Sequence, residues 1–138
     1  MLKRTIDLFE ASGTTTRLSC HIPPGNYHVE GDAKLIGRII NNLIINGMQS
    51  VPEGRVPEIV IRMSVENGRV LIAVKDNGEG VPEGIRTKIF TPNFSTKTSG
   101  SGLGLAIAKR GIEHAGGRLW YRTKTGFGSI FYIELPLA

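Results

Sequence analysis

A predicted strand that ends at Asp76 and runs straight into two glycines restricts how this chain folds. An apolar run of about five residues precedes the aspartate, and Gly78 and Gly80 follow it. This pattern predicts a buried strand and a tight turn, because glycine tolerates positive φ and lets another group approach the backbone closely. The Asp76 carboxylate is therefore predicted at the mouth of a small space. An ordinary polar turn between a strand and a helix is the alternative interpretation.

The composition indicates one globular domain. The chain has 138 residues, of which 40% are hydrophobic and 21% are charged. No apolar run approaches the roughly 20 residues of a membrane span, and the first residues lack the apolar core of a signal peptide. The single cysteine, Cys20, excludes an intramolecular disulfide and is consistent with a reducing compartment. The net charge of +5 fits nucleic acid or an anionic ligand, but scattered basic residues indicate a solvated surface for most of them.

The order of the predicted elements indicates an α+β fold with one mixed sheet and helices on one face. Asp32 is a good N-cap for a long helix, and Asn67-Gly68 joins two apolar runs in the pattern of a hairpin. Residues 82–88 have room for one helical turn, and the polar stretch 91–102 is predicted to be a mobile loop, disordered without nucleotide. The predicted strands are 17–22, 27–30, 59–66, 69–75, 118–123 and 129–135, and the predicted helices are 2–10, 32–50 and 103–115.

A stripe of amides lies on the long predicted helix. Asn42 and Asn46 are four residues apart, and Gln49 falls on the same face. Asparagine is a poor helix former, and a solvated face would be better served by Glu or Lys. The stripe therefore predicts amide oxygens kept as ligands, and a neutral oxygen suits a hard cation such as Mg²⁺. The alternative is the solvated face of an amphipathic helix.

The carboxylate of Asp76 has the chemistry to read a base. An ionised carboxylate at a strand end accepts a hydrogen bond from an exocyclic amine. This matches the amino edge of adenine and rejects guanine, which presents a carbonyl there.

A glycine-rich stretch, Gly100-Ser-Gly-Leu-Gly-Leu105, opens the predicted helix 103–115. Glycines that enter a helix N-terminus form an anion site from free N–H groups and the helix dipole. The stretch is not a Walker loop, because no Gly-Lys-Ser/Thr follows, and no strand immediately precedes it as in a Rossmann fingerprint. A flexible linker is the alternative.

A fourth stretch, Ile89-Phe-Thr-Pro-Asn-Phe-Ser-Thr-Lys97, lies between the two glycine-rich segments. Phe90 and Phe94 are suited to anchor a loop by burying aromatic surface, and Lys97 offers a point charge to a phosphate. The alternative is a proline-containing turn with two core aromatics.

Taken together and in this order, these stretches resemble the ATP-binding catalytic domain of bacterial sensor histidine kinases. That domain belongs to the GHKL superfamily, with gyrase, MutL and the heat-shock chaperone ATPases. The resemblance covers nearly the whole chain, and the wording of the F box is most similar to the NtrB and NtrY type. It is carried by an N box (Asn42-Leu-Ile-Ile-Asn46-Gly), a first glycine box (Asp76-Asn-Gly-Glu-Gly80), an F box (Ile89 to Lys97), a second glycine box (Gly100 to Leu105) and a last glycine element (Gly126-Phe-Gly-Ser129).

The resemblance implies the Bergerat (GHKL) ATP-binding α/β sandwich and assigns roles to matching positions. It implies that Asn46 coordinates Mg²⁺ between the phosphates of ATP, with Asn42 nearby, and that Asp76 reads adenine. Asn42, Asn46 and Lys97 are the implied catalytic residues. The rest of the implied nucleotide site is Gln49, Gly78, Gly80, Val81, Ile89, Phe90, Gly100, Gly102, Leu103, Gly104, Leu105 and Ser129.

One position separates the subfamilies that this chain resembles. ATP hydrolases and anti-sigma serine kinases of the superfamily carry a Glu four residues before the Mg²⁺ Asn, where it acts as a general base. Asn42 occupies that position here and cannot serve as a base near neutral pH. The resemblance therefore implies transfer of the γ-phosphate to a neutral histidine on another domain. A hydrolase or serine kinase of the same fold, and a catalytically silent nucleotide-sensing pseudokinase, are the alternatives.

The N box departs from the family pattern at three positions. Gly47 replaces the usual Ala, which weakens the helix by up to about 1 kcal/mol. Gln49 and Ser50 stand where many members place a basic residue and an aromatic. The candidate cations are then Lys97 and, after it, Lys88 and Arg110.

No histidine of the chain lies in the acceptor context of the family, so His21, His28 and His114 are interpreted as structural or surface residues. We therefore expect residues 1–138 to be one catalytic domain cut from a longer cytoplasmic or membrane-anchored sensor. The expected partners are ATP and ADP, the phosphoacceptor-histidine dimerisation domain of the same protein and, indirectly, a response regulator. The fragment is expected to be a monomer and the parent a homodimer. Nucleic acid is not expected, because no aromatic–basic interleaving of the single-strand binding kind is evident.

Overall fold

The computed structural model describes residues 17–24, 28–29, 32–91 and 104–137, which build a five-stranded sheet with two helices packed on it. The strand order is β1-β2-β3-β5-β4, with β1 parallel to β2 and the other neighbours antiparallel. The predicted α+β class and mixed sheet are confirmed, and three of the four strand pairs are antiparallel. The elements are β1 (Arg17–His21), α1 (Ala33–Gln49), β2 (Glu58–Glu66), β3 (Arg69–Asp76), α2 (Leu105–His114), β4 (Arg118–Lys124) and β5 (Gly128–Pro136), with a 3₁₀ turn at Glu83–Ile85.

The long helix α1 begins and packs as its sequence predicts. The Asp32 carboxylate accepts hydrogen bonds from the backbone N–H groups of Lys34 (2.9 Å) and Leu35 (3.3 Å), which caps the first turn. The apolar stripe of α1 packs on β2 and β3, while α2 packs on β4 and β5. This stripe has side chains that are at most 2% exposed: Ile36, Ile39, Ile40, Leu43 and Ile44.

The hairpin between β2 and β3 has the predicted turn. Asn67 and Gly68 adopt φ of 53° and 74°, and two consecutive positive φ values are what a two-residue hairpin turn requires. The turn sets the register so that Ile59 lies opposite Asp76 and Ile61 opposite Val74. The apolar residues of both strands consequently point to the same side of the sheet.

The two faces of the sheet differ in chemistry. The face under the helices is apolar and buried, and it is formed by alternate residues of each strand: Ile59, Ile61, Val70, Ile72, Val74, Leu119, Phe131, Ile133 and Leu135. We call the opposite side the open face. It carries, among others, Val60, Arg62, Arg69, Ala73, Lys75, Arg118, Trp120, Arg122, Ile130, Tyr132 and Glu134.

Some predicted boundaries are wrong. The predicted strand at 27–30 is absent from the described positions 28 and 29, where Val29 makes only a single bridge with Leu137. The first strand ends at His21, because two prolines follow Ile22 and lack the N–H that a ladder needs. Helix α2 begins at Leu105, two residues later than predicted. The predicted helix 2–10 and all of the predicted loop beyond Thr91 lie outside the described residues.

Within the described ranges, no helix is both long enough and apolar enough to cross a membrane.

Two arginines on the open face lower the pKa of one acidic residue, Glu134. The Glu134 carboxylate accepts from Arg69 Nε (2.9 Å) and from Arg118 Nε and Nη2 (3.3 Å each). The hydrogen bonds from Arg118, and then from Arg69, lower the pKa of Glu134. A carboxyl with a lowered folded-state pKa contributes stability above its unfolded pKa, and this contribution is lost as the pH falls through the folded value.

We therefore expect Glu134→Gln to lower the free energy of unfolding by at most about 1 kcal/mol at pH 7 and to cost less at low pH. Urea denaturation at neutral pH and at about pH 3, below the reference pKa of Glu, measures the difference. Glu66→Gln is the matched control, because Glu66 lies on the same face and has no ion pair among the described residues. Equal pH dependence in the two variants would contradict the prediction.

Candidate functional site

The carboxylate of Asp76 lies at the end of β3 and is held by three elements at once. Its Oδ1 accepts from Gly78 N (2.9 Å), from Ser129 N (3.3 Å) and from Ser50 Oγ (3.3 Å). The residue is only 5% exposed. The donors come from the turn after β3, the start of β5 and the end of α1. Three donors on a single oxygen fix the orientation of the carboxyl group.

Other parts of the chain lie so close to two glycines of the predicted boxes that neither position has room for a side chain. A Cβ on Gly78 would overlap the hydroxyl of Ser50, and a Cβ on Gly128 would overlap the backbone carbonyl oxygen of Asp76. Gly128 also has a φ of 121°, which side chains other than glycine rarely adopt. The glycines therefore let α1, β3 and β5 converge around Asp76.

The last turn of α1 approaches β3 closely because residue 47 is glycine. A Cβ there would lie 2.9 Å from Ile59 Cδ1 and 3.0 Å from Asp76 Cβ. Both distances are shorter than ordinary van der Waals contact. Glycine at position 47 lowers the helix propensity, but it lets α1 lie closer to the Asp76 carboxylate than a residue with a side chain would.

Ser50 has a function that the sequence analysis missed, since only its departure from the family pattern was noted. Its hydroxyl donates a bifurcated hydrogen bond to Gly47 O (2.8 Å) and to Asp76 Oδ1 (3.3 Å). Ser50 therefore ties the end of α1 to the carboxylate. A small hydroxyl residue just after the end of a helix was the available signal.

Thr123 and Ser129 form a hydroxyl pair beside Asp76. Their oxygens are 2.9 Å apart, and Thr123 Oγ1 accepts from Val81 N at 2.8 Å. The pair joins the hairpin of β4 and β5 to the backbone just after Gly80. Ser129 was predicted as a site residue, whereas Thr123 was missed. A polar residue at a core-facing position near the end of a strand was the signal for it.

Asn77 fixes the other side of the same turn and was also missed. Its Oδ1 accepts from Glu58 N (2.8 Å), and its Nδ2 donates to Val56 O (3.2 Å). Arg55 Nη1 donates to the carbonyl oxygen of Asn77 at 2.8 Å. Asn77 thus fastens the turn to the segment that leads into β2.

The amide stripe of α1 runs from the interior to the surface. Asn42 is 3% exposed, Asn46 is half-buried and Gln49 is exposed. The burial of Asn42 rules out a simple solvated face for this part of the helix. Asn46 immediately precedes Gly47, whose backbone lies against Asp76. The structure therefore brings the N box next to the first glycine box, as predicted.

Comparison with known proteins identifies the family. The family model described as histidine kinase-, DNA gyrase B-, and HSP90-like ATPase matches residues 31–138. The chain belongs to this family. The predicted Bergerat fold is confirmed with it.

The similar proteins include sensor histidine kinases. The alginate biosynthesis sensor protein KinB of Pseudomonas aeruginosa is 35% identical over 141 residues, which cover 99% of this chain and 23% of KinB. The catalytic domain of the histidine kinase ThkA superposes with a TM-score of 0.83 at 30% identity, over 98% of this chain and 89% of that structure. ThkA also has a solved complex with the response regulator TrrA (TM-score 0.78, 26% identity, 99% of this chain and 39% of that one). Full-length ShkA in complex with AMPPNP is 25% identical with a TM-score of 0.77, over 99% of this chain and 29% of ShkA.

The chain spans about a quarter of the length of the curated relatives it matches, with values of 23%, 25% and 28% for three of them. The similarity to the NtrB and NtrY type stays a prediction.

The F box of this histidine kinase-like domain contributes to the core where it is described. Ile89 is buried, and Phe90 packs against Tyr121 with ring centroids 5.8 Å apart. The Tyr121 hydroxyl donates to Arg86 O (3.0 Å), and burial raises the pKa of Tyr121. Arg86 Nε in turn donates to Val81 O at 2.9 Å. These contacts connect the F box to the loop after the first glycine box.

The start of α2 has the features of the predicted anion site. Gly104 is the N-cap, with φ of −72°, and no side chain caps the helix. The first N–H groups of a helix without a side-chain cap are available to an anion. Leu105, the first helical residue, is half-buried.

Two of the three candidate cations, Lys88 and Arg110, lie in the described residues. Lys88 is exposed in the turn before the F box, and Arg110 lines a surface groove with Asp32 and His114. The remaining predicted residues lie outside the described ranges: Lys97, Gly100, Gly102 and Leu103.

Proposed function

We propose that this domain binds Mg²⁺-ATP beside Asp76 and supplies the γ-phosphate to a histidine on a dimerisation domain of the same longer protein. The observation that carries the proposal is the buried Asp76 carboxylate, oriented by three donors next to the N box. The similarity to KinB and ThkA supports it.

The orientation of Asp76 accounts for the choice of base. A carboxylate oxygen accepts from the exocyclic amine of adenine, whereas guanine would place a carbonyl oxygen against it. A buried polar site that hydrogen-bonds one group discriminates strongly against an analogue that lacks it, because the site is left unpaired. The solved complex of ShkA with AMPPNP, an adenine nucleotide analogue, supports an adenine nucleotide here.

The donors available to Mg²⁺ fit a cation that arrives with the phosphates. No group of three or more His, Cys, Asp or Glu side chains that could hold a metal occurs in the described ranges. Mg²⁺ commonly keeps its waters and binds substrate phosphates with few protein ligands. Asn46 would supply one neutral oxygen, with Asn42 behind it on the same face. The ion would neutralise charge on the transferring phosphate.

Asn42 determines the kind of acceptor that we propose. A hydroxyl or a water must lose a proton to attack phosphorus, and an amide cannot take that proton. A neutral imidazole has a lone pair that attacks without prior deprotonation. In the transfer a bond forms between imidazole nitrogen and the γ-phosphorus, and the bond from that phosphorus to the bridging oxygen breaks, so that ADP leaves.

The wider assembly follows the same proposal. We propose that residues 1–138 are the catalytic domain of a cytoplasmic or membrane-anchored homodimer, and that the isolated domain is a monomer. The complex of ThkA with a response regulator supports transfer of the phosphate onward to such a protein.

The test supplies the domain with radiolabelled ATP, Mg²⁺ and a histidine-bearing dimerisation domain of a related sensor kinase. The expected product is an acid-labile, alkali-stable phosphate on the acceptor, which is absent when its histidine is replaced. Steady release of inorganic phosphate without acceptor would favour the hydrolase. Normal ADP binding without any transfer would favour the pseudokinase.

The hydroxyl pair of Thr123 and Ser129 predicts the effect of a single substitution on nucleotide binding. Thr123→Val keeps the shape of the side chain but leaves Val81 N–H without its acceptor, and an unpaired group costs about 1–3 kcal/mol. We expect ADP to bind roughly tenfold more weakly. The Thr123 hydroxyl contacts both Val81, in the loop after Gly80, and Ser129, and the valine variant loses both contacts. Isothermal titration with ADP measures the change.

Two control variants separate this positioning role from general destabilisation. Thr123→Ser keeps the hydroxyl and should restore affinity. Thr125→Val removes an exposed hydroxyl whose only described partner is Arg86 Nη2 at 3.3 Å, and it should bind ADP normally. Equal affinity in Thr123→Val and the wild type would overturn the prediction even if the variant melts at a lower temperature.

A further inference from the structure

The open face carries positive charge that no ion pair among the described residues neutralises. Arg62, Lys75 and Arg122 are exposed, and none has an ion pair among the described residues. Two acidic residues of this face, Glu58 and Glu134, are already engaged, and the third, Glu66, lies four residues beyond Arg62 at the end of β2 and has no ion pair among the described residues. Glu58 pairs with Arg17 at 3.2 Å, and Glu134 accepts from two arginines, Arg69 and Arg118. The acidic side chains of this face therefore leave these cations available to a partner.

The sheet register gathers these cations into one patch, although they are scattered in sequence. Lys75 lies opposite Ile130, and Ile130 lies opposite Arg122, so the two cations are two strands apart, or about 10 Å. Arg62 lies on the strand on the other side of Lys75. The half-buried residues between them are apolar: Val60, Ala73 and Ile130. The patch therefore combines exposed positive charge with half-buried apolar side chains between the charges.

The same register interleaves basic and aromatic residues, which the sequence analysis did not find. Trp120 stacks on Tyr132 with centroids 5.2 Å apart and planes at 15°, and the Arg118 guanidinium lies 5.0 Å from the Trp120 ring. Single-stranded nucleic acid needs free aromatic faces on which its bases stack. The Trp120 ring is already engaged by Tyr132 and Arg118. The geometry therefore disfavours stacking of bases on this face.

The polar edges of these rings remain available as donors. Neither the indole N–H of Trp120 nor the hydroxyl of Tyr132 has a hydrogen-bond partner in the described part of the chain. No described side-chain polar atom is both buried and without a partner, so both groups reach solvent. Together with the three cations they form a surface rich in donors. Such a surface complements carboxylates.

A bilayer is a poorer fit than a protein. Insertion at a membrane interface requires protruding apolar side chains. The exposed large hydrophobic residues of the described chain lie outside the strands of the sheet: Ile22, Val56, Ile107 and Phe127.

We propose that the open face docks an acidic surface of a separate protein, through carboxylates that contact Arg62, Lys75 and Arg122. The three cations span four neighbouring strands, or about 15 Å. A contact of this width is smaller than the roughly 800 Å² per partner of a stable complex, so we expect the association to be transient and sensitive to salt. The patch lies on the side of the sheet opposite α1 and Asp76. Docking therefore leaves the nucleotide site accessible and does not depend on the function proposed for it.

The test titrates the domain with three probes at low ionic strength: a peptide rich in Glu and Asp, an oligothymidylate of equal charge, and vesicles with and without anionic lipid. Trp120 fluorescence and amide chemical shifts of β3, β4 and β5 report on the open face. We expect the peptide to perturb these signals most strongly and salt to reverse the effect.

A matched pair of charge reversals makes the test specific. Lys75→Glu/Arg122→Glu should weaken peptide binding by about tenfold or more, whereas Lys34→Glu/Arg38→Glu, on exposed positions of α1, should not. If the first variant fails to fold, Lys75→Gln/Arg122→Gln takes its place. Equal loss in both reversals, or stronger binding of the oligothymidylate or the anionic vesicles at this face, would overturn the proposal.

Discussion

Asp76→Asn is expected to abolish the rise in melting temperature that Mg²⁺-ADP gives the wild-type domain. A ligand at 100 times its dissociation constant stabilises the folded state by about 2.7 kcal/mol. Asparagine keeps the shape of the side chain, but its amide places an N–H group where the carboxylate presents an acceptor. A donor would then face the exocyclic amine of adenine. We expect affinity to fall by about a hundredfold or more, since a hydrogen bond to a charged group is lost and its partner is left unpaired.

The measurement is thermal melting with Mg²⁺-ADP and with Mg²⁺-GDP for the wild type and two variants. Glu79→Gln is the matched control, because Glu79 is an exposed carboxylate in the same glycine box and its replacement removes the same charge. It should keep the ADP response. An ADP response that survives in Asp76→Asn, or a GDP response equal to that of ADP, would contradict the assignment of the adenine site. No response of the wild type to any nucleotide would contradict the proposal that this domain binds ATP.

The elements that the sequence predicts well are those with local causes. The capping carboxylate of Asp32 and the two positive φ values at Asn67 and Gly68 each involve residues close together in the chain. The periodicity of α1 is equally local, since a stripe of isoleucine and leucine must be buried. The parallel pairing of β1 with β2 has no comparable local signal. It is decided by packing between segments that are far apart in sequence.

The residues of the candidate site also fall into those that the sequence predicted and those that it did not. Asp76 and its glycines were recognisable, because a carboxylate followed by glycines is a contiguous pattern. Ser50 and Thr123 were not, since they reach the first glycine box from 26 and 42 residues away in the chain. The residues that a ligand would contact are thus partly visible in the motif. The residues that hold the motif in place depend on the tertiary fold.

Gly128→Ala is expected to be among the most damaging single substitutions in the domain. A Cβ on residue 128 would overlap the carbonyl oxygen of Asp76, and φ there is 121°. The start of β5 must move away from the end of β3, or the backbone must change conformation. Either response costs more than the 1–3 kcal/mol of an unfavourable φ alone, so we expect a loss of about 3 kcal/mol or more.

Gly126→Ala separates conformational strain from the close approach. Gly126 has a φ of 82°, but nothing lies within 4 Å of the Cβ that would be added. Urea denaturation of the two variants should show a loss of only about 1 kcal/mol for Gly126→Ala. Equal losses would mean that positive φ alone explains the glycine at position 128.

The same pair of variants tests the link between packing and binding. Moving residue 128 also moves Ser129, whose N–H donates to Asp76 Oδ1 at 3.3 Å. Folded Gly128→Ala should therefore bind ADP more weakly, while Gly126→Ala binds it normally. If folded Gly128→Ala kept full affinity, the carboxylate would not depend on β5 for its orientation. The contacts from Gly78 and Ser50 would then suffice to hold it.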